Sequence, residues 1–373
     1  MGILYENLLK VEWQQVVMWV IGGLLIYLAI KKDMEPALLL PMGFGAILVN
    51  LPMSGAITQV FESGTETGIL SWLFDFGIAT EVFPLLLFIG IGAMIDFEPL
   101  LTNPKLFLFG AAAQFGIFFT LGVAALLGFD IKDAASIAII GAADGPTSIF
   151  VANILKSNYI GPIVVAAYSY MSLVPIVQPP VIRLLTTKKE RLIRMPYGKV
   201  RITKLTKILF PIIVTIIAGI VSPRSVALVG LLMFGNLIRE CGVLNSLSET
   251  AQKVLANLIT LFLGLTVAAS MTAEAFINWR TLMILALGLV AFVFDTVGGV
   301  LFAKLLNLFS KNKINPMIGA AGISAFPMSA RVVHKMGLAE DKQNFLLMHA
   351  VGVNVSGQIA SVIAGGLILS FYG

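Results

Sequence analysis

The stretch IIGAADGPTSIFVANIL, residues 139–155, places a carboxylate and a helix break inside sequence that otherwise has the character of a membrane helix. Asp144 is followed by Gly145 and Pro146, and proline removes a backbone donor that a helix interior needs. Ionisable residues within membrane segments are costly and by default mark an ion or proton pathway. The stretch therefore predicts a broken, functional segment at membrane depth. The alternative is a packing kink in which Asp144 only caps a half-helix.

The composition predicts an integral membrane protein. Hydrophobic residues make up 58% of the 373 residues and charged residues 12%, whereas soluble domains contain about 25% charged residues. Nine of the 25 Lys and Arg lie within residues 183–207, against one acid, Glu190. A basic loop beside membrane segments is typical of the cytoplasmic side, so the net charge of +5 does not indicate a nucleic-acid partner.

Hydropathy predicts an all-α polytopic membrane protein with about ten transmembrane helices. Spanning segments of about 20 apolar residues fall at 14–30, 36–52, 82–98, 105–128, 160–183, 206–222, 225–240, 254–272, 280–306 and 344–371. Two more segments, 134–155 and 314–334, are apolar but interrupted by Gly, Pro and polar residues, and are called here the first and second broken segments. Segment 53–81 contains Glu62, Glu66 and Asp75 and is predicted to be external or interfacial.

The chain contains two related halves. IIGAADGPTSIF (139–150) matches MIGAAGISAFPM (317–328), and the positive-inside rule leaves five crossings in each half. Because five is odd, the second half is inverted relative to the first. The predicted domains are a first membrane repeat, 1–183, a basic cytoplasmic loop, 184–205, and a second, inverted repeat, 206–373. Inverted repeats that each contain a broken or re-entrant segment at the midplane are typical of transporters with a site at that depth.

The broken segments together predict a cation site. Irregular backbone at membrane depth must line a cavity or be buried in protein, and its freed carbonyl oxygens suit an alkali cation. Asp144 supplies a full negative charge, Asn315 and Ser324 supply neutral oxygens, and Gly319 permits close backbone approach. Asn315 has an equal alternative role as the cap of a half-helix that begins at Pro316.

Other polar residues within the spans allow two interpretations each. Asn354 and Gln358 lie four residues apart on one helical face, where they form either a site or helix–helix contacts. Tyr168 and Tyr170 either satisfy neighbouring backbone groups or relay a proton. Arg331 either anchors the chain at the cytoplasmic interface or binds an anionic substrate group.

Three motifs in fixed order carry a family resemblance: GAADGPTSIF (141–150), AYSYMSLVPIVQPP (167–180) and INPMIGAAGISAFPMSAR (314–331). They resemble the beta subunit of the sodium-pumping biotin-dependent decarboxylases, which serves oxaloacetate, methylmalonyl-CoA, glutaconyl-CoA and malonate decarboxylase complexes. The likeness covers about residues 14–371. It implies an enzyme, a membrane-embedded carboxybiotin decarboxylase that couples CO2 loss and proton consumption to Na+ export.

The resemblance also implies residue roles. Asp144 matches the essential carboxylate that binds Na+ and exchanges a proton, and Tyr170 matches a tyrosine implicated in proton delivery. The functional cluster of the second broken segment is matched by Asn315, Gly319, Ser324 and Arg331. Arg331 is then the expected partner of the carboxybiotin carboxylate. Asn354 joins Asp144, Asn315, Gly319 and Ser324 as an expected sodium-site residue.

The implied partners are a carboxyltransferase subunit, a biotin carrier that presents the biotin cofactor, and a small gamma-type membrane subunit. The implied location is the bacterial cytoplasmic (inner) membrane, in an oligomeric complex. Loop 184–205 is an expected docking surface for a partner, because it is basic and cytoplasmic. The alternative function is a secondary sodium-coupled transporter or Na+/H+ antiporter, which rests on the inverted repeat alone and needs no biotinylated partner.

Overall fold

The computed structural model describes three parts of the chain, residues 10–61, 64–196 and 202–373. The prediction for the basic loop therefore falls partly outside the described residues, at 197–201. The described chain is almost entirely helical, and its one sheet is an antiparallel hairpin of Gln59–Phe61 and Gly64–Glu66. This confirms the predicted all-α class.

Among the described residues, six helices are long and apolar enough to cross a membrane: Trp13–Lys32, Pro104–Leu126, Lys204–Val221, Asn245–Ser270, Trp279–Phe309 and Leu347–Tyr372. Two bent pairs raise the number to eight: Ile69–Ala79 with Val82–Met94, and Ile160–Met171 with Leu173–Leu185. Two shorter helices, Pro36–Val49 and Val226–Cys241, lie at the remaining two of the ten predicted spans, and the number ten stays a prediction. The protein is a multi-pass membrane protein.

Shorter pieces connect or interrupt these spans. The short α-helices are Glu98–Thr102, Ile131–Ala138, Gly145–Ile154, Lys188–Arg191, Ala273–Phe276 and Met328–Glu340. The 3-10 turns are Pro104–Leu106, Ile139–Ala142, Pro223–Ser225, Ala268–Ser270 and Pro316–Gly322. Segment 53–81 is divided, since its first part contains the hairpin and its second part is helical and bends by 61° into Val82–Met94.

In the described residues the two halves have the same order of elements, helices at five predicted spans with a broken segment before the last. The third crossing of each half also contains a π-helical stretch, Asp75–Ala79 in the first and Thr250–Leu255 in the second. π-Bulges are rare, so their recurrence at matching positions supports a common origin of the halves. The inversion of the second half and the domain limits stay predictions.

The first broken segment breaks at Asp144. The 3-10 turn Ile139–Ala142 ends at Ala143, which has a left-handed φ of 51°, and Asp144 is extended. Helix Gly145–Ile154 then begins with Pro146 in its first turn, where a missing N–H costs no intrahelical hydrogen bond. The Gly-Pro pair therefore starts a half-helix, and Asp144 is its N-cap.

The second broken segment meets the first. Its 3-10 turn Pro316–Gly322 is followed by non-helical chain up to Pro327 and then by helix Met328–Glu340. Within the non-helical part, the Ser324 amide donates a 2.9 Å hydrogen bond to the Ala142 carbonyl. The two breaks are thus joined backbone to backbone.

Helix Trp279–Phe309 supports both broken segments. A Cβ on Gly141 would lie 2.7 Å from the Ala291 Cβ, and Gly319 is packed directly against the Gly299 carbonyl. Positions 291 and 299 lie about 800° apart at 100° per residue, which places them on one side of the helix. Small residues at these contacts let the backbones approach closely.

Asp295, on the same helix, caps a break in a neighbouring span. Crossing Pro104–Leu126 is interrupted at Gln114, and the first amides of helix Phe115–Leu126 can donate to side-chain caps there. Asp295 Oδ1 accepts hydrogen bonds from the Gly116 amide (2.5 Å) and the Ile117 amide (3.2 Å). The structure therefore gives Asp295 a capping role between the two halves.

Candidate cation site at the meeting point of the broken segments

Asp144 is buried, with 3% of its surface exposed, and its carboxylate is held by hydroxyl groups. Its Oδ2 accepts hydrogen bonds from Thr147 Oγ1 at 2.7 Å and from Ser361 Oγ at 2.9 Å. The Thr147 amide approaches Oδ1 at 3.4 Å, and Ser148 Oγ donates to the Asp144 carbonyl at 2.9 Å. No ion pair among the described residues involves Asp144. The site therefore holds a carboxylate with neutral donors and no compensating basic side chain in the described chain.

The last helix, Leu347–Tyr372, supplies a polar stripe beside the breaks. Asn354, Gln358 and Ser361 are spaced as i, i+4 and i+7, which is one helical face. Asn354 Nδ2 donates to the Ile323 carbonyl at 2.7 Å, and Gln358 Nε2 donates to the Ser324 carbonyl. Ser361 lies near the middle of this helix, so its contact with Asp144 places the carboxylate close to mid-membrane.

Three amides that hold the second broken segment have a buried oxygen without a hydrogen-bond partner among the described residues. These oxygens are Asn354 Oδ1, Gln358 Oε1 and Gln178 Oε1. Gln178 Nε2 donates to the Ala320 carbonyl at 2.7 Å, so all three NH2 groups are taken by carbonyls of the second broken segment. An amide orients its NH2 toward a carbonyl, which leaves its oxygen free. Unpaired buried oxygens are costly unless a cation or water occupies the space they face.

The donor set fits a monovalent hard cation. The described residues contain no group of three or more His, Cys, Asp or Glu side chains that could hold a metal ion. One carboxylate, hydroxyl groups and amide oxygens beside unwound backbone are the ligands by which discontinuous helices coordinate Na+. The donor set is of the kind that holds Na+, and the membership of Asp144 and Asn354 in a sodium site stays a prediction.

Ser324 lies at the meeting point, but its side chain is occupied. Its Oγ donates to the Gly357 carbonyl at 3.3 Å, its amide bonds Ala142, and its carbonyl accepts from Gln358. Ser324 therefore links both broken segments to the last helix. A hydroxyl that donates to one carbonyl still has lone pairs for a cation, so its predicted ligand role stays a prediction.

Asn315 lies at the other end of the second broken segment. Its Nδ2 donates to the Arg191 and Ile193 carbonyls, each at 2.9 Å, and its Oδ1 accepts from the Met317 amide at 3.1 Å. The seven-residue 3-10 turn between Asn315 and Ile323 is about 14 Å long at 2.0 Å per residue. The structure does not bring Asn315 and Asp144 together; it gives Asn315 the capping role that the sequence left open.

The basic loop is fastened to the end of the second broken segment. Arg191 pairs with Glu340 at 2.6 Å and Arg194 pairs with Asp341 at 2.6 Å. The hydrogen bond from Arg194 lowers the pKa of the Asp341 carboxyl. Two arginines that the sequence offers for partner docking are thus used within the chain.

Gly319 is buried against the backbone of helix Trp279–Phe309, so its predicted site role coincides with a packing role. We expect Gly319→Ala to lower the free energy of unfolding by about 1–3 kcal/mol, because a Cβ would overlap the Gly299 carbonyl. Gly230→Ala is the matched control, since its Cβ would meet only Thr215 Cγ2 at 3.6 Å. Thermal unfolding in detergent measures both. Equal stability of the two variants would contradict the packing role.

Tyr168 and Tyr170 point to different surroundings. They are two residues apart, which is about 200° around a helix, so their side chains point to different sides. Tyr168 packs against Gly145, the neighbour of Asp144, because a Cβ on Gly145 would lie 2.8 Å from Cδ1 of the Tyr168 ring. The Tyr168 hydroxyl has no hydrogen-bond partner in the described chain. The Tyr170 hydroxyl instead donates to the Leu285 carbonyl. Tyr168 is therefore the phenol beside Asp144, a placement that the motif alone did not indicate.

The two tyrosines can be separated by removing one hydroxyl at a time. Tyr170→Phe is expected to reduce decarboxylation about tenfold or more, by the proton-delivery role implied for it, and to cost about 1 kcal/mol of stability through the lost Leu285 bond. Tyr168→Phe loses no hydrogen bond, so its melting temperature should be unchanged. CO2 release and thermal unfolding are measured on both. Loss of activity in Tyr168→Phe but not in Tyr170→Phe would show that Tyr168 is the tyrosine that delivers the proton.

Arg331 is exposed on helix Met328–Glu340, away from the buried carboxylate. Ser329, two residues before it, accepts a 3.0 Å hydrogen bond from Asn354. Two positions are about 200° around a helix, so Arg331 lies on the other side of helix Met328–Glu340 from that contact. Arg331 is near Glu35, in the loop before Pro36–Val49. Burial raises the pKa of Glu35 and the Arg331 charge opposes that rise.

The site contains members that sequence reasoning did not assign to it. Ser361 bonds Asp144 directly, and Ser329 bonds Asn354. A lone serine in a membrane helix gives almost no signal, because serine commonly bonds its own helix. The available clue was the i, i+4, i+7 spacing of Asn354, Gln358 and Ser361.

Comparison with known proteins gives one consistent result. The sequence profile of the family described as Na+-transporting oxaloacetate decarboxylase beta subunit matches residues 14–372. The chain is 49% identical over 376 residues to the methylmalonyl-CoA decarboxylase subunit beta of Propionigenium modestum, covering 96% of this chain and 95% of that protein. It is 48% identical over 361 residues to the glutaconyl-CoA decarboxylase subunit beta of Acidaminococcus fermentans, covering 97% and 94%. It is 43% identical over 411 residues to the oxaloacetate decarboxylase beta chain of Klebsiella pneumoniae, covering 96% and 95%. The chain belongs to the family of Na+-transporting decarboxylase beta subunits.

Proposed function

We propose that this chain decarboxylates carboxybiotin within the membrane and uses that reaction to export Na+. The observation that carries the proposal is the buried carboxylate of Asp144 where the two broken segments meet, near a helix that carries unpartnered amide oxygens. Family membership supplies the decarboxylase and sodium-pump function. The assignment of that function to individual residues is the new step.

Sodium binding is proposed to involve Asp144, Asn354 and Ser324, joined by Gln358 and by the hydroxyls around Asp144. The network fixes these groups before the ion arrives, because every NH2 of the amides is bound to a backbone carbonyl. A preorganised oxygen cage loses little entropy on binding. Asn315 and Gly319 contribute by holding the second broken segment in place.

The chemical step releases CO2 from the ureido nitrogen of biotin, and that nitrogen takes up one proton. The carboxylate of the substrate is lost as neutral CO2, so reaction is favoured once that carboxylate leaves water. Arg331, exposed on helix Met328–Glu340, is proposed to bind the carboxylate as it enters from the cytoplasmic side. Tyr170 is the proposed proton donor, and Tyr168 is the phenol that lies closest to Gly145.

Coupling follows if Na+ and a proton compete for Asp144. The ionised carboxylate attracts Na+, and protonation removes the charge and releases the ion. The two ligands then bind with a negative coupling that is reciprocal by thermodynamic necessity. Proton movement through Asp144 toward the biotin nitrogen would link each decarboxylation to a change in sodium occupancy.

The beta-subunit family implies that the chain works in a multi-subunit decarboxylase complex. We propose a carboxyltransferase subunit, a biotin carrier and a small gamma-type membrane subunit as its partners, and the bacterial cytoplasmic membrane as its location. Within loop 184–205, Lys188 is exposed, so it is the proposed contact for a carrier.

The test compares two preparations of proteoliposomes, one with this chain alone and one with the whole complex. A decarboxylase pump should accumulate 22Na+ only when carboxybiotin is supplied, with CO2 released in the same sample. A secondary transporter would exchange 22Na+ against a pH or sodium gradient without carboxybiotin. Gradient-driven exchange with no sodium-dependent CO2 release in either preparation would reject the proposal.

A further inference from the structure

A cavity of about 550 Å³ lies at the predicted cytoplasmic end of helix Trp279–Phe309, where short helix Lys188–Arg191 passes beside it. Three of its lining residues are lysines from different parts of the chain: Lys189, Lys304 and Lys313. Glu190 is its one acidic residue, and Lys304 Nζ is 3.2 Å from the Glu190 carboxylate. Two positive charges are thus left uncompensated in the cavity.

The wall of the cavity is apolar and faces the lipid. Leu301, Leu305 and Leu308 follow the i, i+4, i+7 spacing of one helical face, and their exposed fractions are 48%, 50% and 76%. Helix Trp279–Phe309 has 31 residues and is about 46 Å long at 1.5 Å per residue, against a hydrocarbon thickness of about 30 Å. The leucine stripe therefore runs from the hydrocarbon into the headgroup layer.

The lysines lie at the polar end of this stripe. Lys304 is nine residues beyond Asp295, near the helix centre, which is about 13 Å along the axis. That distance puts its ammonium group close to the edge of the hydrocarbon. Lys189 and Lys313 are exposed, and they extend the positive charge into the headgroup layer.

We propose that this cavity binds an anionic phospholipid, with the phosphate among Lys189, Lys304 and Lys313 and one acyl chain along the leucine stripe. Basic pockets at the cytoplasmic ends of membrane helices recognise anionic headgroups through this combination of charge and depth. Lysine binds phosphate as a point charge and needs no fixed fork geometry. A free phosphate would use the ammonium groups but not the apolar wall, and the continuity of the two favours a lipid.

The lipid would also affect the loop that bears Lys189. Glu190 already pairs with Lys304, and Arg191 pairs with Glu340 at the end of helix Met328–Glu340. A phosphate bound to both Lys189 and Lys304 would therefore add a second link between loop 184–205 and helix Trp279–Phe309. The site is separate from the Asp144 site and does not depend on the proposed function.

The test measures lipid binding to the full chain in a zwitterionic detergent, by native mass spectrometry and by thermal unfolding. Phosphatidylglycerol, phosphatidylcholine and inorganic phosphate are the three probes. The test variant is Lys189→Gln with Lys313→Gln. The control is Lys311→Gln with Lys342→Gln, which removes equal charge from exposed lysines outside the cavity.

Wild type is expected to bind phosphatidylglycerol about tenfold or more tightly than phosphatidylcholine. The test variant is expected to lose that preference, because each lysine contributes separately to the attraction of an anionic lipid. The control should keep it, and melting temperatures without lipid should match. Equal weakening in test and control variants would show general surface attraction and overturn the site. Equal stabilisation by inorganic phosphate would replace the lipid with a free anion.

Discussion

Asp144→Asn is expected to lower sodium-stimulated decarboxylation by on the order of 100-fold or more, while leaving the protein folded. Asparagine has the size of aspartate and can still accept the Thr147 amide as an N-cap, so helix Gly145–Ile154 should form. What is lost is the only full negative charge of the site and its ability to take a proton, which is a large part of general acid–base catalysis. CO2 release by the purified complex at saturating Na+ measures the effect.

Asp130→Asn is the matched control for that change. Asp130 is also an N-cap, since its Oδ2 accepts from the Lys132 amide at 3.0 Å, and it begins helix Ile131–Ala138 of the same broken segment. Asp130 is exposed. The same substitution there removes a negative charge and alters an N-cap, but it leaves the candidate cation site unchanged. Activity near wild type is expected for Asp130→Asn. Comparable activity in both variants would remove Asp144 from the mechanism.

Asn354→Leu is expected to have the second largest effect, on stability and on sodium response together. Asn354 Nδ2 donates to the Ala321 carbonyl at 3.2 Å, the Ile323 carbonyl at 2.7 Å and Ser329 Oγ at 3.0 Å. Leucine has a similar volume but leaves these buried acceptors unpaired, and each such group costs about 1–3 kcal/mol. We expect a loss of about 3 kcal/mol and the disappearance of the Na+-dependent rise in melting temperature.

Ser356→Ala separates this effect from a general change in the last helix. Ser356 is fully buried two residues away, but its hydroxyl bonds only the Val353 carbonyl of its own helix. The alanine variant is expected to keep both its stability, within about 1 kcal/mol, and its sodium response. If Asn354→Leu unfolds at the wild-type temperature and still responds to Na+, the amide has neither the structural nor the ligand role.

The sequence was sufficient to locate the buried carboxylate and the breaks. A charge next to Gly-Pro in apolar sequence has few structural explanations, so Asp144 was found directly. The second break was found because its residues repeat the first. Both signals lie within short stretches of sequence, so they can be recognised without knowledge of the tertiary packing.

Features that depend on packing were out of reach of the sequence. Asn315 has the composition of a ligand, but its amide is used by the Arg191 and Ile193 carbonyls, because the basic loop returns to the end of the second broken segment. Tyr168 and Tyr170 are adjacent in the motif, yet the helical turn between them places only Tyr168 against Gly145. The direct hydrogen bond from Ser361 to Asp144 appears only once the chain is folded.

Sodium export by this chain depends on competition between Na+ and a proton for Asp144. Equilibrium binding of 22Na+ to the purified chain, measured over a range of pH for wild type, Asp130→Asn and Asp144→Asn, tests that competition directly. Wild type and Asp130→Asn are expected to bind Na+ more weakly as pH falls, up to about tenfold per pH unit once the carboxyl is protonated. Asp144→Asn is expected to bind none at any pH. Sodium binding by Asp144→Asn with wild-type affinity, or wild-type binding independent of pH, would contradict it.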